Sequence, residues 1–217
     1  MNRRDLLTLA IAASLSGCVT FNEQMLPKRE APPPAARGVV EWSVGDVRQL
    51  LNGETSPGGL ASTQTGVSAF GQGMLNRWKS RELIADYGRA GELKAPPAYR
   101  LKLSGEIQES ASILGSVVTG LSLFLIPSSS TLTYNLKADF TDIARNRTWT
   151  VPIRNGSTTW MQILLFPATP FGWMGASHMI EDTADYLYAE LHKQGAFDPS
   201  SRPAPAPASA SVIPIGH

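Results

Sequence analysis

Apolar and polar residues alternate along three stretches in the middle of the chain, and this pattern predicts β-strands. From Tyr99 to Gln108, apolar residues fall on one side and Arg, Lys, Ser, Glu and Gln on the other. A two-residue period places alternate side chains on opposite faces of a sheet, so these strands are half-buried. Strands are predicted at 99–108, 131–140 and 149–153, with weaker patterns at Val39–Val47 and Glu82–Tyr87. The polar stretch Ile143–Arg147 joins the second strand to the third, which predicts an antiparallel hairpin.

Two further stretches carry apolar residues at helical spacing. The first spans about Ser62–Lys79 with the stripe Val67, Phe70, Met74, Leu75 and Trp78, and the second spans about Ala176–Gln194 with the stripe Ile180, Ala184, Leu187 and Leu191. In the second, His192 and Lys193 come late and Gly195 follows, as expected at a helix C-terminus. Both stripes need an apolar partner, which the sheet provides. We predict an α+β fold with a mainly antiparallel sheet of four to five strands and two helices packed on one face.

Composition excludes several classes of function. The 217 residues include one cysteine and three histidines, so an intramolecular disulfide and a multi-cysteine metal site are excluded. The formal net charge is +1, which provides no basic surface for nucleic acid. We therefore expect no nucleic-acid partner.

The N-terminus has the features of an export signal. Arg3 and Arg4 form a short positive region, and the apolar and small residues of Leu6–Gly17 are too few for a spanning helix. The stretch ends at Leu15-Ser16-Gly17-Cys18, which resembles the lipobox of bacterial lipoproteins. That resemblance implies cleavage before Cys18 and a diacylglycerol on its sulfur. We expect no cofactor. An unmodified thiol behind a chance signal-like start is the alternative.

The same segment leaves the export route open. Asn2–Leu7 resembles the start of a twin-arginine signal, but Leu6 and Thr8 stand where that family prefers Phe and Lys. In lipoproteins an Asp after the cysteine resembles an inner-membrane retention signal, and here Val19 follows Cys18. The resemblance therefore implies an outer-membrane, periplasm-facing protein that contacts the membrane through its lipid. Without Arg3, Arg4 and Asp5 the mature chain is formally neutral.

Composition divides the chain into four regions. We expect a signal peptide over 1–17, a lipidated Cys18 with a Pro-rich tether over 18–37, a single α+β domain over 38–197, and a disordered Pro/Ala/Ser tail over 198–217. The tether and tail contain too few apolar residues at regular spacing to build a core. About 160 residues between them suffice for one core.

Two apolar stretches follow strands that point to the same end of the predicted sheet. Residues 110–136 contain no charge, with the most apolar part at Ala111–Pro127, and a second apolar run lies at Trp160–Met174. Three interpretations of these stretches stay open. They fold back over the core as extra strands or a lid, or they form a contact surface for a membrane or a partner protein, or the first of them is a spanning helix. The candidate contact residues are Leu121, Leu123, Phe124, Leu125, Trp160, Phe166, Phe171 and Trp173.

No catalytic pattern is present in the sequence. There is no Gly-rich phosphate loop, His-Glu-x-x-His or Gly-x-Ser-x-Gly motif. His178 and Asp182 have helical i, i+4 spacing, but a surface pair explains them better than a metal site, since further ligands have no obvious source. Asp139 and Asp142 are expected at a solvated strand end. We expect no catalytic residues, no metal and no enzyme activity.

The order of elements, together with the anchor, resembles the small α+β lipoproteins of Gram-negative envelopes. These include the lipopolysaccharide-assembly lipoprotein and auxiliary lipoproteins of envelope transport systems. The segment Val44-Gly45-Asp46-Val47-Arg48, expected to end a strand before a helix, contributes to this resemblance. It implies an accessory or interaction component of an envelope assembly or transport complex. A binding protein for a lipid or acyl chain is the alternative.

Overall fold

The computed structural model describes residues 17–33, 37–55, 60–122, 125–162 and 169–198. It confirms the α+β class. The elements are β1 Gly17–Asn22, β2 Val39–Leu51, β3 Glu54–Thr55, α1 Leu60–Ser80, β4 Asp86–Gly88, β5 Tyr99–Ala111, α2 Ile113–Leu121, β6 Ser128–Asp142, β7 Arg147–Gln162 and α3 Thr169–Lys193. The strands are longer than their sequence patterns, because alternation fades where both faces of a strand end carry Ser and Thr.

The sheet is larger and more mixed than the sequence predicted. Seven strands lie in the order β1-β7-β6-β5-β2-β3, and β4 also pairs with β2. The predicted hairpin is confirmed, with β6 and β7 antiparallel, but β2 runs parallel to both β4 and β5. The helix α1 between them explains this, because a helical crossover returns the chain in its original direction. The prediction of four to five mainly antiparallel strands was therefore wrong in strand number and in part in direction.

A bulge interrupts the pairing of β2 with β5. The register shifts between Val44 and Val47, so Val44–Arg48 lies inside β2 and does not end a strand as expected. On β5, Gly105 has a φ of +135°, and a Cβ there would lie 2.3 Å from the carbonyl oxygen of Asn135. Glycine is required at this position because the neighbouring backbone fills the space of a side chain.

The core lies between one face of the sheet and the two long helices. All five apolar residues of the predicted α1 stripe are buried, as are Ala184, Leu187 and Leu191 of α3. The inward strand residues include Tyr99, Leu101, Leu103, Leu136, Ala138, Phe140, Val151 and Ile153. The two helices and their stripes are therefore confirmed.

Polar contacts join α1 to α3. The indole Nε1 of Trp78 donates to the carbonyl oxygen of Ala184 across 2.8 Å inside the core. Arg77 and Arg81 both contact the Asp185 carboxylate, at 3.2 and 2.9 Å. The hydrogen bond to Asp185 raises the pKa of Arg77, which stays charged. These contacts fix how the two helices lie against each other.

Part of the segment predicted as a tether lies in the sheet. β1 pairs antiparallel with β7, and the Asn22 amide donates to Asp182 on α3 across 3.0 Å. After β1, Leu26 and Ala31 pack against the core, and Arg29 lies 3.0 Å from Glu190. The edge of β7 explains the difference, because its free backbone groups accept a further strand whatever the side-chain pattern.

The described chain ends in a tightly packed turn. Gly195 has a φ of +77°, and the amides of Gly195 and Ala196 donate to the carbonyls of His192 and Leu191. This is the Schellman arrangement that closes a helix. It directs Phe197 into the core, where it stacks on Tyr188 with ring centroids 4.6 Å apart. Of the predicted tail, only Asp198 lies within the described residues.

Candidate functional site

Three strands meet at one level at one end of the sheet. In the pairing register, Cys18 of β1 stands opposite Met161 of β7, and Met161 stands opposite Ser128 of β6. Neighbouring strands lie about 4.8 Å apart, so the backbones of Cys18 and Ser128 are about 10 Å apart. The residue predicted to carry lipid therefore lies at the end of the sheet where β6 begins and β7 ends.

This same end carries a cluster of exposed apolar side chains, which we call the apolar tip. Its members are Val117, Val118, Leu121, Leu125, Ile126 and Trp160. They come from α2, from the residues just before β6 and from the end of β7. Leu121 is 82% exposed and Leu125 is 65% exposed. Six of the nine large apolar side chains that are exposed among the described residues lie here, so the exposure is concentrated in one place.

The described part of the first apolar stretch is exposed, and its helix is short. Its exposed side chains do not fold back into the core. α2 has nine residues, whereas a spanning helix needs about 20. Within the described ranges, no helix is long and apolar enough to cross a membrane.

Local hydrogen bonds hold the tip in shape. The Ser112 hydroxyl accepts from the amide of Gly115 at 2.9 Å and caps α2 at its start. Beyond the helix, the Ser122 hydroxyl accepts from the amide of Ile126 at 3.1 Å. Serine is well suited to such caps and turns because its short side chain reaches nearby amides. These two serines thus shape the loop.

The eight predicted contact residues fall into three groups in the structure. Leu121, Leu125 and Trp160 are exposed at the tip, as the contact interpretation requires. Leu123, Phe124 and Phe166 lie outside the described residues. Phe171 and Trp173 belong to the first turns of α3 rather than to a loop. The sequence pattern did not single out Val117, Val118 and Ile126, although the uncharged stretch 110–136 includes them.

The opposite end of the sheet is charged. Asp142 is fully buried there, where its carboxylate accepts from the Arg145 amide at 3.0 Å and lies 3.1 Å from the Arg145 side chain. The expectation that Asp139 and Asp142 form a solvated strand end was therefore wrong for Asp142, because the tight turn after β6 folds back over it. Asp139 instead accepts from the Thr150 hydroxyl at 2.6 Å. Neither carboxylate is arranged as a catalytic pair.

A cleft of about 390 Å³ lies on the helix side of the sheet, near the tip. Its described lining residues are Gln49, Thr63, Gly66, Ile107, Glu109, Ser130, Leu132, Tyr134, Ser157 and Thr159. Gln49 joins two sides of the cleft, accepting from Thr63 at 3.0 Å and donating to Glu109 at 3.1 Å. Tyr134 stacks on Phe70 beneath it, and burial raises the pKa of Tyr134. The sequence does not predict this cleft, because its polar residues lie far apart along the chain.

The predicted helical pair does not form a metal centre in the described part of the chain. His178 is exposed, and Asp182 is bound to Asn22 of β1. Among the residues described, no group of three or more His, Cys, Asp or Glu side chains is placed to hold a metal ion. Asp182 thus serves to attach β1 to α3.

Comparison with known proteins places the chain in no family. No protein-family model matches the sequence, and no curated protein is similar enough to be matched. A crystal structure of a neuraminyllactose-binding hemagglutinin homolog from Helicobacter pylori aligns with 80% of this chain and 91% of its own. The TM-score is 0.31 at 10% sequence identity. Such a score carries no argument about fold or function.

Proposed function

We propose that this chain is a lipid-anchored, non-enzymatic protein of the outer membrane that faces the periplasm. One observation carries the proposal: Cys18, the cysteine of the lipobox-like sequence, lies at the end of the sheet that bears the apolar tip. The feature that suggests a lipid anchor and the surface suited to lipid come from distant parts of the chain. Folding brings them together.

The position of Cys18 in β1 has a consequence for the proposed maturation. Cleavage before Cys18 removes only Gly17 from β1 and leaves the rest of the strand paired with β7. A diacylglyceryl group on Cys18 would therefore attach almost directly to the folded domain, without a flexible spacer. Several acyl chains on one cysteine suffice for stable anchoring.

A domain attached without a spacer stays close to the membrane surface, which favours partners that are themselves at the membrane. We infer that the chain is an accessory or interaction component of an envelope assembly or transport complex. The outer face of the sheet offers a charged surface for such a partner, with ion pairs between Glu41 and Arg100 and between Arg48 and Glu106. Exposed charges of this kind select partners more than they add affinity.

The anchor can be tested in cells grown with an alkyne-labelled palmitate. We expect the label on the full chain and its loss in Cys18→Ser. The control Ser16→Ala changes a residue of the motif that carries no lipid, and it should still be labelled. Intact mass should place the mature N-terminus at Cys18. An unlabelled chain that retains residues 1–17 would refute the proposed lipidation.

The partner requires a separate experiment in the same cells. Photo-crosslinkers at Glu41 and Arg48 on the outer face should trap one defined envelope protein, while a crosslinker at Ser68 on α1 is the control for random contacts. Identical products at all three positions would contradict a specific docking surface.

Binding of a lipid or acyl chain is the second candidate function, and the cleft favours it. Its volume falls within the range of about 300–1,000 Å³ typical of small-molecule sites. The apolar Ile107 and Leu132 lie beside the polar Gln49 and Glu109, which suits an amphiphile better than a plain hydrocarbon. Leu132→Trp should fill the cleft and abolish co-purifying lipid seen by native mass spectrometry. Thr131→Trp, on the other face of the same strand, should leave that lipid in place.

A further inference from the structure

We propose that the apolar tip inserts into the interfacial layer of the same bilayer that holds the lipid on Cys18. The domain is then attached at two points, with its tip down and its charged end away from the membrane. This inference rests on the proposed lipid anchor and adds the orientation of the domain and a second, protein-mediated contact.

The exposure of the tip is the first argument. Val117, Leu121 and Leu125 expose more than half of their surfaces, and Trp160 exposes 41%. Apolar surface that is exposed and concentrated at one end of a folded domain marks a contact with a protein or a membrane. At the other end of the sheet, Ile143 is isolated among charged neighbours.

The absence of charge is the second argument, and it favours lipid. Residues 110–136 contain no Asp, Glu, Lys or Arg, so entry of this segment into the interface would bury no charge of its own. Protein interfaces usually surround an apolar centre with a polar, charged rim. Trp160 adds an aromatic ring of the type found at the level of lipid head groups.

Geometry connects the tip to the anchor. Ser128 comes two residues after Ile126 in the chain. Its backbone lies two strand spacings, about 10 Å, from that of Cys18. An acyl chain on Cys18 would hold the tip close to the bilayer surface, at a distance no greater than the size of the tip itself. Because tethering raises the effective concentration of the second contact, a small apolar surface is enough to keep it inserted.

The chain offers an unusually clean way to measure this insertion. It has one cysteine, so after acylation of Cys18 an introduced cysteine is the only free thiol. Leu121→Cys and Leu125→Cys report on the tip, and Ile143→Cys, at the opposite end of the sheet and 40% exposed, is the matched control. Each full-chain variant would be purified with its lipid, labelled with a nitrobenzoxadiazole dye and reconstituted in phosphatidylethanolamine–phosphatidylglycerol vesicles with doxyl-labelled acyl chains.

We expect a blue-shifted emission and strong doxyl quenching at positions 121 and 125, with neither at 143. Leu121→Asp introduced into the Leu125→Cys chain should reduce the quenching without lowering the melting temperature, because residue 121 contacts solvent in the domain. Native tryptophan emission provides a second measurement. Trp160→Phe should remove the part of this emission that the doxyl-labelled lipids quench.

Equal, weak quenching at all three positions would overturn the inference while leaving the anchor intact. Two dye molecules per chain would instead show that Cys18 is a free thiol, which would refute the proposed anchor and, with it, the two-point attachment. Quenching at 143 equal to that at 121 and 125 would show a domain lying on its side and would also overturn the inference.

Discussion

Asn155 of β7 donates a hydrogen bond to the Thr183 hydroxyl of α3 across 3.0 Å, and both side chains are fully buried. The Asn155 oxygen also accepts from the amide of Gly156 at 3.0 Å, and Thr183 donates to the carbonyl of Met179 at 2.7 Å. This polar link crosses an otherwise apolar layer. It fixes the position of α3 along β7.

Asn155→Ala is therefore expected to destabilise the fold by about 2–4 kcal/mol, because it leaves a small cavity and an unpaired buried amide at Gly156. Urea denaturation of the purified chain measures this free energy of unfolding. Thr183→Val and the double variant complete a mutant cycle, and we expect the two effects to be less than additive. Strict additivity would contradict an energetic coupling between the two side chains.

Tyr188 makes the stability depend on alkaline pH. Its ring is fully buried, and burial raises the pKa of Tyr188 to about 12. The unfolded chain releases this proton near its ordinary pKa of about 10, whereas the folded chain keeps it to about 12. The contribution of Tyr188 to the free energy of unfolding is therefore constant below pH 10. It falls by about 2–3 kcal/mol between pH 10 and 12.

Tyr188→Phe separates this effect from general alkaline denaturation. The Tyr188 hydroxyl has no hydrogen-bond partner among the residues described, so the variant should be about as stable as the parent at pH 7. Its stability should fall less steeply between pH 10 and 12. If the slope of stability against pH is the same in the variant and the parent, other groups cause the alkaline sensitivity. Tyr134, whose pKa is also raised, is one such group.

The same substitution at two glycines should have opposite effects. Gly195→Ala places a side chain at a φ of +77° and should destabilise by about 1–2 kcal/mol. Gly66→Ala, inside α1, meets no atom within 4 Å and should stabilise by about 0.5–1 kcal/mol. Thermal melting of both variants checks the signs. A stabilised Gly195→Ala would contradict the strained turn that closes α3.

Phe197 is expected to be essential for packing although it lies beyond the last helix. Its ring contacts those of Tyr99, Phe140 and Tyr188. Phe197→Ala should cost about 3–5 kcal/mol, as for other large-to-small changes in a core. Ile143→Ala, at an exposed turn, should change the stability by no more than about 0.5 kcal/mol. Equal losses from the two would contradict the placement of Phe197 in the core.

The sequence by itself determined the elements that have strong periodic patterns. The apolar stripe from Val67 to Trp78 predicted α1, and alternation around Tyr134–Phe140 predicted the core side of β6, because both periods follow from backbone geometry alone. The lipobox-like residues around Cys18 and the uncharged stretch 110–136 were equally visible in one dimension. What they predict about anchoring is still to be tested.

Only the tertiary structure decided how these parts are combined. The pairing of β1 with β7 and the parallel direction of β2 depend on backbone hydrogen bonds between distant strands, which side-chain patterns do not encode. The same pairing brings Cys18, Met161 and Ser128 to one level. Exposure is likewise a property of the packed chain, since Leu121 and Leu136 are chemically identical and only their surroundings make one of them solvent-exposed and the other core.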